Sequence, residues 1–122
     1  MTCPLCNIDE QKILVKGEGF TAFFDGFPVS PGHLLIVPDR HVDNYFLLED
    51  KEKDILWEAV DRCKLLLDEK YHPDGYNIGI NIGKVAGQSI PHVHIHLIPR
   101  YNGDVANPRG GVRGVIPGKQ NY

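Results

Sequence analysis

Two spacings of apolar residues run along the chain, and each predicts a different element. Between Gln11 and Ile36 the apolar residues fall in short runs broken by turn residues, which predicts extended segments over 11–16, 20–25 and 32–37. Lys16-Gly17-Glu18-Gly19 supplies the glycines of a tight hairpin, and Asp25-Gly26-Phe27-Pro28 with Ser30-Pro31-Gly32 marks a second reversal, so the three segments read as an antiparallel meander. Pro38 ends the third, and 41–46 reads as a short helical turn. From Asp50 to Tyr71 the period lengthens. Ile55, Leu56, Ala59, Val60, Cys63, Leu66 and Leu67 recur every three or four residues, while Lys51, Glu52, Lys53, Glu58, Asp61, Lys64 and Asp68 take the other side, the pattern of one long amphipathic helix. His72-Pro73-Asp74-Gly75 stops it. Over 76–83 alternate residues are apolar again, with Asn77, Gly79, Asn81 and Gly83 on the second face. Over 92–98 Val93, Ile95 and Leu97 oppose His92, His94 and His96, so both stretches read as strands. A last extended piece is expected over 112–116. The fold class is α+β: an antiparallel sheet with one long helix and a short one.

Composition adds limits. The 122 residues suit a single domain over 1–122, and 42% apolar with 24% charged residues is a folding composition. A formal charge of −3 argues against a nucleic-acid polymer as partner. The stretch 105–122 carries Arg109, Arg113 and Lys119 without an acid, a basic tail suited to a small anion or simply to solubility. No apolar run is long enough for a bilayer. Met1-Thr2-Cys3 enters Cys-x-x-Cys without a basic and then apolar leader, so a cytoplasmic, membrane-free protein is expected. Three cysteines, two of them close together, do not read as a disulfide framework.

The histidines carry the chemistry. Alternate strand residues share a face about 6.7 Å apart, which would set three imidazoles in a row. Three such rings repel one another when protonated and favour strands poorly, so metal binding or catalysis is expected of them. A neutral imidazole offers a lone pair near pH 7, as ligand, base or nucleophile. Just upstream, Gly87-Gln88-Ser89 offers backbone N–H groups, an amide and a hydroxyl, donors of the kind that hold phosphate oxygens.

Pro91-His92-Val93-His94-Ile95-His96-Leu97-Ile98, with Gly87-Gln88-Ser89 ahead of it, resembles the signature of the histidine triad family. Phe24-Asp25-Gly26-Phe27-Pro28, the run from Ser30 to Pro38, and Arg40-His41 extend the resemblance over roughly residues 3 to 100, and the run from Arg109 to Pro117 resembles the tails of bacterial members. The resemblance implies a homodimer that cleaves or transfers at the α-phosphate of nucleotides. It makes His94 the nucleophile of a covalent nucleotidyl-histidine, with His96 and His33 orienting it. Asn81, Gly87, Gln88 and Ser89 would hold phosphates, Ser89 near the leaving group, and Asp25 would hold a ribose hydroxyl. Arg109 and Arg113 are candidates for a distal phosphate. Cys3-Pro4-Leu5-Cys6 has the spacing of half a zinc site, and the resemblance supplies His41 and His92 as its other ligands, in a structural role that leaves His94 free of metal. The cysteine pair could instead be idle or redox-active. Two rival functions stay open: a hydrolase in which His92, His94 and His96 all bind one catalytic metal, and a nucleotide-binding regulatory module with vestigial turnover.

Overall fold

The computed structural model describes residues 3–122; Met1 and Thr2 of the leader reading lie outside them. Five strands form one sheet in the order β1-β2-β3-β5-β4, every neighbouring pair antiparallel. They are β1 (Ile13–Gly17), β2 (Phe20–Phe24), β3 (Leu34–Pro38), β4 (Gly75–Gly79) and β5 (Ile95–Arg100), with α1 (Asp50–Tyr71) between β3 and β4.

α1 occupies the predicted residues because both its ends are fixed. Glu49 and Glu52 exchange hydrogen bonds as a capping box at the start. At the other end His72, rather than a glycine, takes the left-handed conformation (φ 53°). Leu56, Ala59, Val60, Cys63 and Leu67 are buried against Ala22, Leu34, Ile36, Ile95 and Leu97 of the sheet. Since alternate strand residues change faces, His33, Leu35, Val37, His96 and Ile98 point away from the helix. On that second face Leu5 and Ile8 of the N-terminal segment pack with Phe23, Leu35 and Val37. The helix therefore covers one face, and the N-terminal segment covers part of the other. The histidines lie on that other face.

Four expected elements differ. The helical turn is a 3₁₀ turn confined to Tyr45–Leu47. The second alternating stretch pairs only as far as Gly79, and β5 begins at Ile95, so His92 and His94 lie in extended backbone ahead of the strand. The expected extended piece at 112–116 is instead a 3₁₀ turn, Gly111–Val115. Gly110 there adopts φ +91°, and a side chain on it would collide with the Gln120 carbonyl. The tail thus folds back on itself and packs Gly111 against Asn77 of β4. No helix among the described residues is long and apolar enough to cross a membrane.

Candidate active site

The three histidines of the 92–96 run sit in different surroundings, each ring held by a different set of partners. His92 is fully buried. Its Nε2 lies 2.9 Å from the Pro38 carbonyl, which can only accept, so Nε2 carries the proton and Nδ1 keeps its lone pair. That Nδ1 turns away from the other two rings, to 3.2 Å from His41 Nδ1, 3.5 Å from Cys6 Sγ and 3.6 Å from Cys3 Sγ. The single row of imidazoles expected from the alternation is therefore broken at its first member.

His94 is also buried. Its Nδ1 donates to the backbone carbonyl of His92 at 2.8 Å, so in the neutral ring the lone pair is on Nε2. His96 packs against it with ring centroids 5.2 Å apart. The tautomer of His96 is set from further away. The Val29 N–H donates to His33 Nδ1 at 3.1 Å, which leaves the His33 proton on Nε2. That proton goes to His96 Nδ1 at 2.9 Å, so His96 presents an N–H at its own Nε2. Burial, reinforced by the neighbouring His94 and His33, pushes the His96 pKa down to about 4, and burial lowers His33 against the opposing pull of Asp25. His96 is neutral near pH 7.

Asp25 stands at the end of β2. One carboxylate oxygen accepts from the Phe27 N–H at 2.9 Å, closing the turn, and the other lies 3.5 Å from His33 Nε2. Asp25, His33 and His96 also have the mutual spacing of a metal site. Yet His33 already accepts at Nδ1 and bears its proton on Nε2, so a metal there would demand an imidazolate. This trio reads as a hydrogen-bond chain. Divergence of the rings likewise leaves His92, His94 and His96 without a common point for one catalytic metal.

The loop between β4 and β5 turns through Gly83 and Gly87, both at positive φ. Gln88 braces it: its Oε1 accepts from the Gly83 N–H at 2.9 Å, and its Nε2 donates to the carbonyls of Asp43 (2.7 Å) and Ile90 (3.2 Å). The amide expected to hold phosphate is thus committed to backbone, and a direct phosphate contact requires one of these bonds to exchange. Ser89 is exposed, and its hydroxyl has no protein partner among the described residues. Asn81 is half-buried beside this loop.

The tail arginines sit on an aromatic ring, Arg109 and Arg113 lying 4.5 and 4.7 Å from the Tyr122 centroid. Arg113 also donates to the Gln120 carbonyl. Neither sequence spacing nor residue type announced Tyr122, and the backbone groups of Val29, Pro38 and Asp43 carry no sequence signature at all. Surface clefts of about 450, 420 and 340 Å³ include none of the histidines of the 92–96 run, though Cys6 and Pro38 line the smallest.

The cysteine cluster fits zinc on its geometry. The ligand atoms of Cys3, Cys6, His41 and His92 all lie within 4.8 Å of one another, and Cys6 Sγ is 3.2 Å from His41 Nδ1. Tetrahedral zinc with ordinary bond lengths sets nitrogens about 3.3 Å apart and nitrogen and sulfur about 3.6 Å apart. The His92 Nδ1 distances to His41, Cys6 and Cys3, 3.2, 3.5 and 3.6 Å, match those separations, the Cys6–His41 contact is shorter, and the His92 proton already lies on its far nitrogen.

Comparison with known proteins places the chain in a family. The HIT domain matches residues 7–103. An uncharacterized HIT-like protein of Methanocaldococcus jannaschii is 41% identical over 106 residues, covering 84% of this chain and 81% of its own. A bis(5'-adenosyl)-triphosphatase of Dictyostelium discoideum is 41% identical over 100 residues, covering 82% and 67%. The crystal structure of a zinc-bound histidine triad family protein from Mycobacterium smegmatis superposes with a TM-score of 0.78 at 30% identity, covering 87% of this chain and 80% of that one. With its matching sequence, its five-stranded sheet and its histidines in these positions, the chain belongs to the HIT domain family.

Proposed function

We propose that the protein is a nucleotide hydrolase or nucleotidyl transferase acting at the α-phosphate of adenylylated or dinucleoside polyphosphate substrates, with His94 as nucleophile. The observation that carries this reading is the His94 Nδ1–H bond to the His92 carbonyl, which puts the free lone pair on Nε2. A phosphorus centre is shielded by negative oxygens, so catalysis depends on an in-line nucleophile and fixed donors rather than on a strong base. His94 Nε2 attacks the α-phosphorus, a P–N bond forms, and the bond to the leaving group breaks. Water or another acceptor then breaks the P–N bond and releases the nucleotide. The Nε2–H of His96, aligned through His33, donates to a phosphate oxygen, while Ser89 lies near the leaving group. Gly87 and Asn81 line the phosphate end, Gln88 holds the loop in shape, and Asp25 takes a ribose hydroxyl. Arg109 and Arg113 serve a distal phosphate by leaving the Tyr122 ring. The triphosphatase name of the Dictyostelium relative supports a dinucleoside polyphosphate among the substrates.

Cys3, Cys6, His41 and His92 would hold one structural zinc, which stiffens the N-terminal segment and supplies no catalytic step. The exposed edge strand β4, where Ile78 is 42% exposed, supports a homodimer paired along that edge. Free thiols at Cys3, Cys6 and Cys63 suit a reducing, cytoplasmic setting. Turnover of a panel of adenylylated compounds by the wild type and by His94→Ala tests the assignment. A loss of about 10³-fold or more with nucleotide binding retained is expected, and unchanged turnover by the variant would reject it.

A further inference from the structure

One peptide plane links the metal cluster to the nucleophile. The carbonyl of His92 accepts the His94 Nδ1–H at 2.8 Å. The N–H of the same peptide unit, on Val93, donates to the Val42 carbonyl at 2.7 Å. Val42 is flanked by His41, a candidate ligand, and by Asp43, whose carbonyl receives the Gln88 amide that braces the phosphate loop. His92 is anchored twice more, by its own N–H to the Ile90 carbonyl at 2.8 Å and by its ring to Pro38. The Nδ1 atoms of His41 and His92 stand 3.2 Å apart. A metal held by His41 and His92 would close a ring that runs from His41 through Val42, across the hydrogen bond to Val93, and back through His92. The peptide plane that orients His94 is one side of that ring.

We propose that the cysteine–histidine cluster positions the nucleophile: with a metal joining His41 and His92, the 92–93 peptide plane is locked and His94 is confined to the tautomer and rotation that free its Nε2. Without the metal, the exposed His41 and the buried His92 are tied only across their 3.2 Å Nδ1–Nδ1 contact. That weaker tie lets the segments carrying them move apart, and the 92–93 plane keeps only the Val42 bond and the Ile90 and Pro38 anchors of His92. Gln88 depends on the same 41–43 segment, so the phosphate loop loosens with it. Val42 and His92 are thus positioning residues, acting through backbone groups that no side-chain substitution removes directly. The inference rests on His94 being the nucleophile, yet its structural half can be read without turnover.

The test compares zinc-loaded protein, chelator-stripped protein and Cys6→Ser, which keeps three ligands and can be titrated with zinc while circular dichroism confirms that it is folded. Two-dimensional ¹⁵N spectra of the histidine rings report the His94 tautomer, and steady-state kinetics separates kcat from KM. Zinc-loaded protein is expected to show one Nδ1–H tautomer, and folded metal-free protein a mixture with kcat at least tenfold lower. Cobalt should restore both, since it accepts the same ligands and geometry. Folded metal-free protein with a single Nδ1–H tautomer and full kcat would overturn the proposal, leaving the metal a purely structural role. A zinc-dependent tautomer in a protein without turnover would instead reject the nucleophile reading and keep the linkage.

Discussion

His92, His94 and His96 differ by what lies around each ring, and alternation along the chain could not foresee it. Period-two spacing predicts a common face, but strand pairing begins only at Ile95, so His92 is free to turn toward the cysteines. Its separate task was legible only through family resemblance and the Cys-x-x-Cys spacing. The tautomer chain from Val29 through His33 to His96 is set by backbone, which leaves no mark in sequence. This chain has a pH consequence. The folded-state pKa of His96, about 4, lies below the unfolded value of about 6.5. The unfolded chain therefore takes up the proton first as pH falls, and the stability contributed by neutral His96 is complete above pH 6.5 and lost on acidification toward pH 4. His33 and His92 shift in the same direction, burial being the largest cause for each. Urea denaturation midpoints should fall between pH 6.5 and 4.5, and fall less steeply in His96→Gln. Equal slopes would mean that the ring is not held neutral by the fold.

At the scale of elements the sequence was most informative where a pattern is long. α1 spans 22 residues, and its three-and-four spacing with the following His72-Pro73 placed both ends. Strands of five or six residues carry too few positions for that, and their limits depend on pairing partners. Over 112–116 Val112, Val115 and Ile116 suggest an extended piece, while Gly110 and Gly111 at positive φ bend the chain first into a turn. Leu67 is completely buried between α1 and the sheet, so Leu67→Ala should destabilise by about 2–5 kcal/mol in chemical denaturation; less than 1 kcal/mol would indicate a loosely packed interface. Gly32 adopts φ +88°, and a β-carbon there would meet the Tyr71 ring at 3.0 Å and Pro99 at 3.2 Å. Gly32→Ala should therefore lower stability by about 1 kcal/mol or more and displace the adjacent His33. Loss of turnover exceeding loss of folded protein would be its signature.

The molecule as a whole sets its site on one sheet face, with the N-terminal segment over one part and the tail folded back at β4. The overall architecture follows from the hydrophobic pattern, whereas this enclosure does not. Leu5 and Ile8 are isolated apolar residues in a polar stretch, and the tail's closure depends on Gln120 meeting Gly110. Gly110→Ala should open the tail, raising proteolysis within 105–122 while the melting temperature of the domain stays within a few degrees; a global loss of stability would show the tail to be part of the core. The proposed function turns on one atom, the Nε2 of His94. The most direct test is a rapid alkaline quench during turnover of an adenylylated substrate, followed by intact mass and peptide mapping. The account predicts one nucleoside monophosphate on His94 and none in His94→Ala. Full-rate turnover with no nucleotide on the protein, or with nucleotide on another residue, would contradict it.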